Sequence, residues 1–208
     1  GQNGGFMNLF HYIAGENGLS IDEAIAFEER HKDAYDVLYK PVLFFEHVTP
    51  NHDNPILGDK RVRQALLHAV DRELLTQQLF AGKQQVANGS INPLDWVYTD
   101  DVKKYPYDPA RAAALLDEAG WTLGGDGLRR NSAGEPLTFE VVSTAGDRTR
   151  ELVQQVLQSQ WKSVGADVRI KNEPARVLFG QTINQRQFTG MALFAWLSSP
   201  ENVPRTSL

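Results

Sequence analysis

The stretch Asn54-Pro55-Ile56-Leu57-Gly58-Asp59-Lys60-Arg61-Val62-Arg63-Gln64-Ala65-Leu66-Leu67-His68-Ala69-Val70-Asp71-Arg72 decides how this chain is read. It is a loop, a helix and the start of a second helix. Asp59 is placed to cap the first helix, its carboxylate accepting a free amide at the helix start. Val62, Leu66, Ala69 and Val70 recur at helical spacing and predict one buried face. Asp71 is placed to cap the second helix, which carries Leu74, Leu75 and Leu79 and stops at Gly82.

On the N-terminal side, Ser20-Ile21-Asp22-Glu23 has the form of a capping box opening a helix through about Arg30. Val37 to Val48 holds two extended apolar patches around Pro41, readable as two strands or one bent strand. On the C-terminal side, Ala87 to Val102 follows neither the helical nor the strand period and reads as a loop. Loops of that length are often functional. Asp108-Pro109 starts another helix, with a cap and a proline at the first position, ending at Gly120. Gly127 to Val142 reads as a hairpin turning at Asn131-Ser132-Ala133-Gly134. Arg148 to Val164 is the longest helix, with Val153, Leu157, Trp161 and Val164 on one stripe. Val168 and Ile170 mark a strand, Arg176 to Asn184 a helix, and Met191 to Trp196 a wholly apolar strand.

Strands alternating with helices predict an α/β fold, a mixed sheet with helices packed on it. Residues 1–208 are expected to form a single lobe, with Gly1 to Gly5 as linker. Val62, Leu66, Val70, Leu115, Leu116, Phe139, Val153, Leu157 and Val168 are the expected core. Pro200 to Leu208 is loop-like directly after an apolar strand, so the chain reads as a segment of something longer.

A content of 41% hydrophobic and 23% charged residues is that of an ordinary globular protein. The net charge of −5, without a basic run, argues against nucleic acid as a partner. Without cysteine there is no disulfide framework, no thiolate metal site and no thiol nucleophile. No apolar run approaches the ~20 residues of a membrane span. No P-loop, Gly-x-Ser-x-Gly elbow or His-Glu-x-x-His occurs. His47 and His52, with Glu46 and Asp53, offer metal-ligand chemistry in principle, but their spacing fits no metal motif and they read as a solvated polar loop. No catalytic residue, metal site or cofactor is expected.

The opening stretch resembles the signature of family 5 bacterial extracellular solute-binding proteins, the dipeptide- and oligopeptide-binding components of ABC importers. Tyr107-Asp108-Pro109-Ala110-Arg111-Ala112 with Leu115-Leu116-Asp117-Glu118-Ala119-Gly120-Trp121 resembles a second hallmark of that family. Asp126 to Asn131 with Gly134 to Leu137 resembles its hairpin, and Gln155 to Gly165 with Val168-Arg169-Ile170 the helix and strand that come next. Four motifs keep the family's order from about Asp33 to Trp196. The resemblance implies the C-terminal lobe of a two-lobed periplasmic protein, with the first lobe missing and a membrane permease as partner.

It also implies where a ligand sits. In peptide-binding relatives an aspartate three residues after the last strand's tryptophan pairs with the ligand's α-amino group. Trp196 is followed here by Leu197-Ser198-Ser199, so a hydroxyl stands in that place. A neutral hydroxyl does not replace a charge-assisted bond worth roughly 1.5–3 kcal/mol. Glu201 is the nearest alternative carboxylate. The expected ligand contacts are Trp196, Ser198 and Ser199, with Asn92 and Trp96 from the long loop; Trp121 and Trp161 read as structural. Solute capture for import, of a peptide or another small polar molecule, is the leading expectation. A hydrolase using paired carboxylates and a relative repurposed as a receptor or interaction module are the alternatives.

Overall fold

The computed structural model describes residues 7–14 and 21–197. In chain order the elements begin β1 (Met7–Ala14), α1 (Ile21–His31), β2 (Lys40–Pro50), α2 (Lys60–His68), α3 (Arg72–Phe80) and β3 (Gln85–Val86). They continue with α4 (Pro109–Glu118), β4 (Thr122–Leu123), β5 (Arg129–Arg130), β6 (Thr138–Thr144) and α5 (Arg148–Ser163). Last come β7 (Asp167–Glu173), α6 (Ala175–Val177), which runs on as a π-helical turn over Leu178–Ile183, and β8 (Met191–Leu197). Within the described residues there are two compact units. One comprises Val48–Asp71 and Lys104–Phe194; the other Asn8–His47, Arg72–Lys103 and the strand end from Ala195.

In the first unit β6 is the central strand. It pairs in parallel with β7, from Thr138↔Asp167 to Thr144↔Glu173, and in parallel with β8 at Val141↔Met191 and Val142↔Ala192. Both faces of β6 are covered. On one, Phe139 meets Trp161 of α5 edge-on at 5.7 Å. On the other, Val142 packs with Leu178, Ala192 and Phe194. A strand buried on both faces is the usual signature of a parallel sheet.

This corrects the hairpin expectation in part. The Asn131–Gly134 turn forms, with the Asn131 amide donating to Glu135 O and Arg130 bridged to Pro136. Thr138–Thr144 is not the returning arm of that hairpin. The antiparallel pair is β4 with β5, and β6 goes on into the parallel sheet because its two faces are both apolar enough to be covered.

All nine expected core residues are buried. The α5 stripe of Val153, Leu157 and Trp161 faces the sheet, and Trp161 Nε1 donates to Leu66 O at 2.9 Å, tying α5 to α2. Two caps, Asp59 and Asp108, fall where the sequence places them, and Asp147 adds a third. Asp59 accepts from the Arg61 amide, Asp108 from Arg111 and Asp147 from Arg150.

The signature loop before α2 has its own task. Asn51 Nδ2 donates to Phe188 O and Asn54 Nδ2 to Thr189 O, both at 2.8 Å, while the Asn51 amide donates to Gly190 O. Three bonds thus hold residues 188–190, which lead into β8, against the loop at Asn51–Asn54. There only glycine fits at 190, since a Cβ would lie 2.1 Å from Glu140 O.

In the second unit β1 pairs antiparallel with β3, the strand order is β3-β1-β2, and α1 packs on α3. Val37 to Val48 resolves into one strand, β2. α3 ends at Ala81 and Gly82, both left-handed with φ 49° and 70°, and the Gly82 amide returns to Thr76 O. Tyr39 donates to Glu28, which also holds Lys83 at 2.9 Å, and the Lys83 ammonium lies 4.3 Å over the Tyr39 ring. Burial first, then the Glu28 carboxylate, pushes the Tyr39 hydroxyl up to about 12.

Three expectations need amendment. Glu46 and His47 are not part of a solvated loop, since both are buried within β2. The helix expected over 176–184 is a single α-turn continued by a π-turn. Ser20 lies outside the described residues, so the capping box is not assigned.

Candidate functional site

The chain from Ala87 to Val102 is irregular, as its sequence pattern predicts, yet it is pinned along its length. At its root, the Arg72 guanidinium donates from Nη1 to Ala87 O at 2.7 Å and from Nη2 to Asn88 Oδ1 at 3.3 Å. Arg72 is buried, which pulls its pKa below the ordinary arginine value; the Glu73 charge acts the other way. In the middle, Asn92 is fully buried. Its Nδ2 donates to Val42 O at 2.8 Å and its Oδ1 accepts from the Leu94 amide at 3.0 Å. Two turns follow, closed by the Asp95 amide on Asn92 O and the Tyr98 amide on Asp95 O. They keep Asp95 buried and turn Leu94, Trp96 and Tyr98 outward.

Trp96 is 81% exposed, more than any other large hydrophobic side chain among the described residues. Trp196, near the end of β8, is 38% exposed. Ser198, Ser199 and Glu201 lie outside the described residues. The structure thus puts Trp96 at the surface and Asn92 beneath it in one loop. Arg72 is the participant that sequence reasoning missed. It reads as an ordinary exposed first-turn helix residue, and only its approach to residues 87–88, fifteen positions on, makes it internal.

The first unit contains a cavity of about 220 Å³ between β6, β7 and residues 187–191, with Glu140, Lys171, Glu173, Thr182 and Phe188 in its wall. Its polar groups are engaged with one another. The Thr182 hydroxyl donates to Glu173 at 2.5 Å, and the Lys171 ammonium lies 4.0 Å from the same carboxylate. Among the described residues no group of three or more His, Cys, Asp or Glu is placed to hold a metal ion. No described helix is long and apolar enough to cross a membrane.

Comparison with known proteins decides the family. The bacterial extracellular solute-binding proteins, family 5 Middle, match residues 15–207. The chain belongs to this family. The oligopeptide-binding protein AppA of Bacillus subtilis is 35% identical over 130 residues, covering 61% of this chain and 24% of AppA. The crystal structure of the oligopeptide-binding protein from Thermus thermophilus, complexed with a pentapeptide, matches with a TM-score of 0.72 and 37% identity, over 78% of this chain and 29% of that one. NikA from Brucella suis, in complex with Fe(III)-EDTA, matches with a TM-score of 0.79 and 25% identity, over 95% of this chain and 38% of its own. The chain therefore spans a quarter to two fifths of the proteins it matches, which are two-lobed periplasmic binding proteins.

Proposed function

We propose that this chain is part of the C-terminal lobe of a periplasmic solute-binding protein that delivers a peptide or other small polar solute to an ABC permease. The family match over residues 15–207 carries the reading, and the names of relatives, oligopeptide- and dipeptide-binding among them, support a peptide-like solute beside the nickel- and heme-binding relatives. The hydrolase alternative is set aside, because the family is one of solute binders.

The mechanism is closure. A solute touching both lobes stabilises the closed form by its differential affinity for it, and the permease reads that form. On this side of the cleft the proposed contacts are Trp96 and Trp196, with Ser198 and Ser199 following β8. The missing lobe supplies the rest. Ser199 in the aspartate's place makes the site indifferent to a free α-amino group, so blocked peptides and other uncharged solutes fit it.

A thermal-shift screen of the full-length protein tests this. Its probes are a pentapeptide, the same peptide N-acetylated, and Fe(III)-EDTA, the last because the NikA match covers most of this chain. A binder raises the melting temperature by mass action. The two peptides are expected to act alike, and Ser199→Asp to disfavour the acetylated one, since a buried unpaired carboxylate is costly. Tight binding of the free peptide that acetylation abolishes refutes the Ser199 reading and turns attention to Glu201.

A further inference from the structure

The middle of the long loop, from Asn92 to Tyr98, is built inside out. Loops ordinarily turn their polar side chains to water and tuck an apolar one underneath, because buried polar groups lose hydration and exposed aromatic area gains nothing. In that stretch the side chains turned inward are Asn92 and Asp95, with Arg72 beneath the root, and Leu94, Trp96 and Tyr98 turn outward; at the loop's ends Ala87 is buried and Asp100 and Asp101 are exposed in the ordinary way. Both halves of the arrangement cost folding free energy. The buried half is nonetheless well made: Arg72 holds the root at two acceptors, and Asn92 spans from Val42 O to the Leu94 amide, two residues before Trp96. These bonds fix the backbone on the N-terminal side of the tryptophan, and the Tyr98 amide on Asp95 O closes the turn that carries it, while its ring stays in water.

We infer that Arg72 and Asn92 are positioning residues, which hold the Trp96 platform in its binding conformation before the solute arrives. The inference rests on the reading of Trp96 as a solute contact and adds the groups that make it effective. A free loop would have to be ordered at the moment of binding, and that ordering subtracts from affinity; a loop ordered during folding does not. Trp96 with Tyr98 offers flat, rigid area with few torsions to freeze, suited to an apolar side chain or a planar peptide group of the solute. Arg72 serves where lysine would not, because its planar fork reaches a carbonyl and an amide oxygen at once.

The test uses the full-length protein labelled with 5-fluorotryptophan, the Trp96 fluorine line being the one that Trp96→Phe removes. Without any solute, Asn92→Ala and Arg72→Met are expected to narrow that line toward the width of an unrestrained side chain and to leave the lines of buried Trp121 and Trp161 as they are. Arg72→Lys should give an intermediate width, and it stands in for Arg72→Met should that variant fail to fold. A Trp96 line unchanged in Asn92→Ala and in the Arg72 variants overturns the inference. Calorimetry with the pentapeptide and its N-acetylated form then separates the inference from the reading beneath it. Asn92→Ala is expected to weaken binding about tenfold, the scale of ordering a few side chains anew, and Trp96→Ala at least as much. If Trp96→Ala binds both probes as the unmodified protein does, the solute reading of Trp96 fails, whatever the fluorine lines show. If Trp96→Ala weakens binding while Asn92→Ala and Arg72→Lys do not, the positioning role fails and the contact stands.

Discussion

The junction of α5 with the sheet and the Ala87–Val102 loop use the same tools for opposite ends. At the junction, Gln154 is buried beside Val153 and Leu157, donating to Val141 O and Asn172 Oδ1 while Asn172 Nδ2 donates back to Gln154 Oε1. Those amides sit among apolar neighbours that are themselves covered, so the polar bonds and the packing both favour one docking of helix on sheet. In the loop, buried Asn92 and Arg72 hold up side chains that are left in water. The junction uses its buried polar groups for stability and the loop uses its own for presentation. A buried amide is therefore no guide to function until it is known what lies on the far side of it.

The largest effect that bears on this contrast should come from Trp161→Ala. It removes a fully buried ring, its edge contact with Phe139 and the bond to Leu66 O. A loss of about 3–5 kcal/mol in urea unfolding is expected; a loss below about 1 kcal/mol would deny the junction its structural role. Gly190→Ala follows, because the new Cβ meets backbone on β6 and no flexible side chain can yield. That should cost about 1–3 kcal/mol or more, read in the same way.

Gln154→Ala leaves Asn172 and Val141 O short of a partner in a dry setting and should lower global stability by about 1–3 kcal/mol, whereas Trp96→Ala should leave it within about 0.5 kcal/mol. Equal effects from these two would erase the distinction between the regions. The smallest change is a local one at the cap of α2. A hydrogen bond from the Arg61 guanidinium is the main cause that holds the Asp59 carboxyl below its ordinary 3.8, with the Arg61 amide adding to it. Since the folded value is the lower one, the cap's contribution is complete above the ordinary 3.8 and is lost as pH falls through the folded pKa. The Arg61 amide resonance should titrate with a midpoint below 3.8, and a midpoint above it would show that the cap does not form.

Helices were legible because their signals are local. Asp59 and Asp108 are caps that act within three residues, and the Val153, Leu157, Trp161 stripe repeats at the helix's own period. The partners of Thr138–Thr144 were not legible, because a short apolar run that follows a turn suits a hairpin arm as well as a central parallel strand, and only the approach of residues 167–173 and 191–194 decides. Glu46 and His47 misled for a related reason. Two adjacent polar residues next to a turn suggest water, while their actual setting is imposed by chain segments remote in sequence. Of the candidate site, Trp96 and Asn92 lie in one loop, but no local signal distinguishes the one that faces water from the one that is buried.

By itself the sequence determined where α2, α4 and α5 start and stop, nine residues of the core, and the family, because caps, periodicity and ordered motifs are properties of short stretches of chain. Tertiary structure alone decided which strand stands at the centre of the parallel sheet, why only glycine serves at position 190, and which way each side chain of the long loop turns. Those outcomes depend on contacts across 15 to 137 positions of chain, from Arg72 on Ala87 to Asn51 on Phe188. At such separations the identity of a residue constrains its partner only through the packing of everything between them.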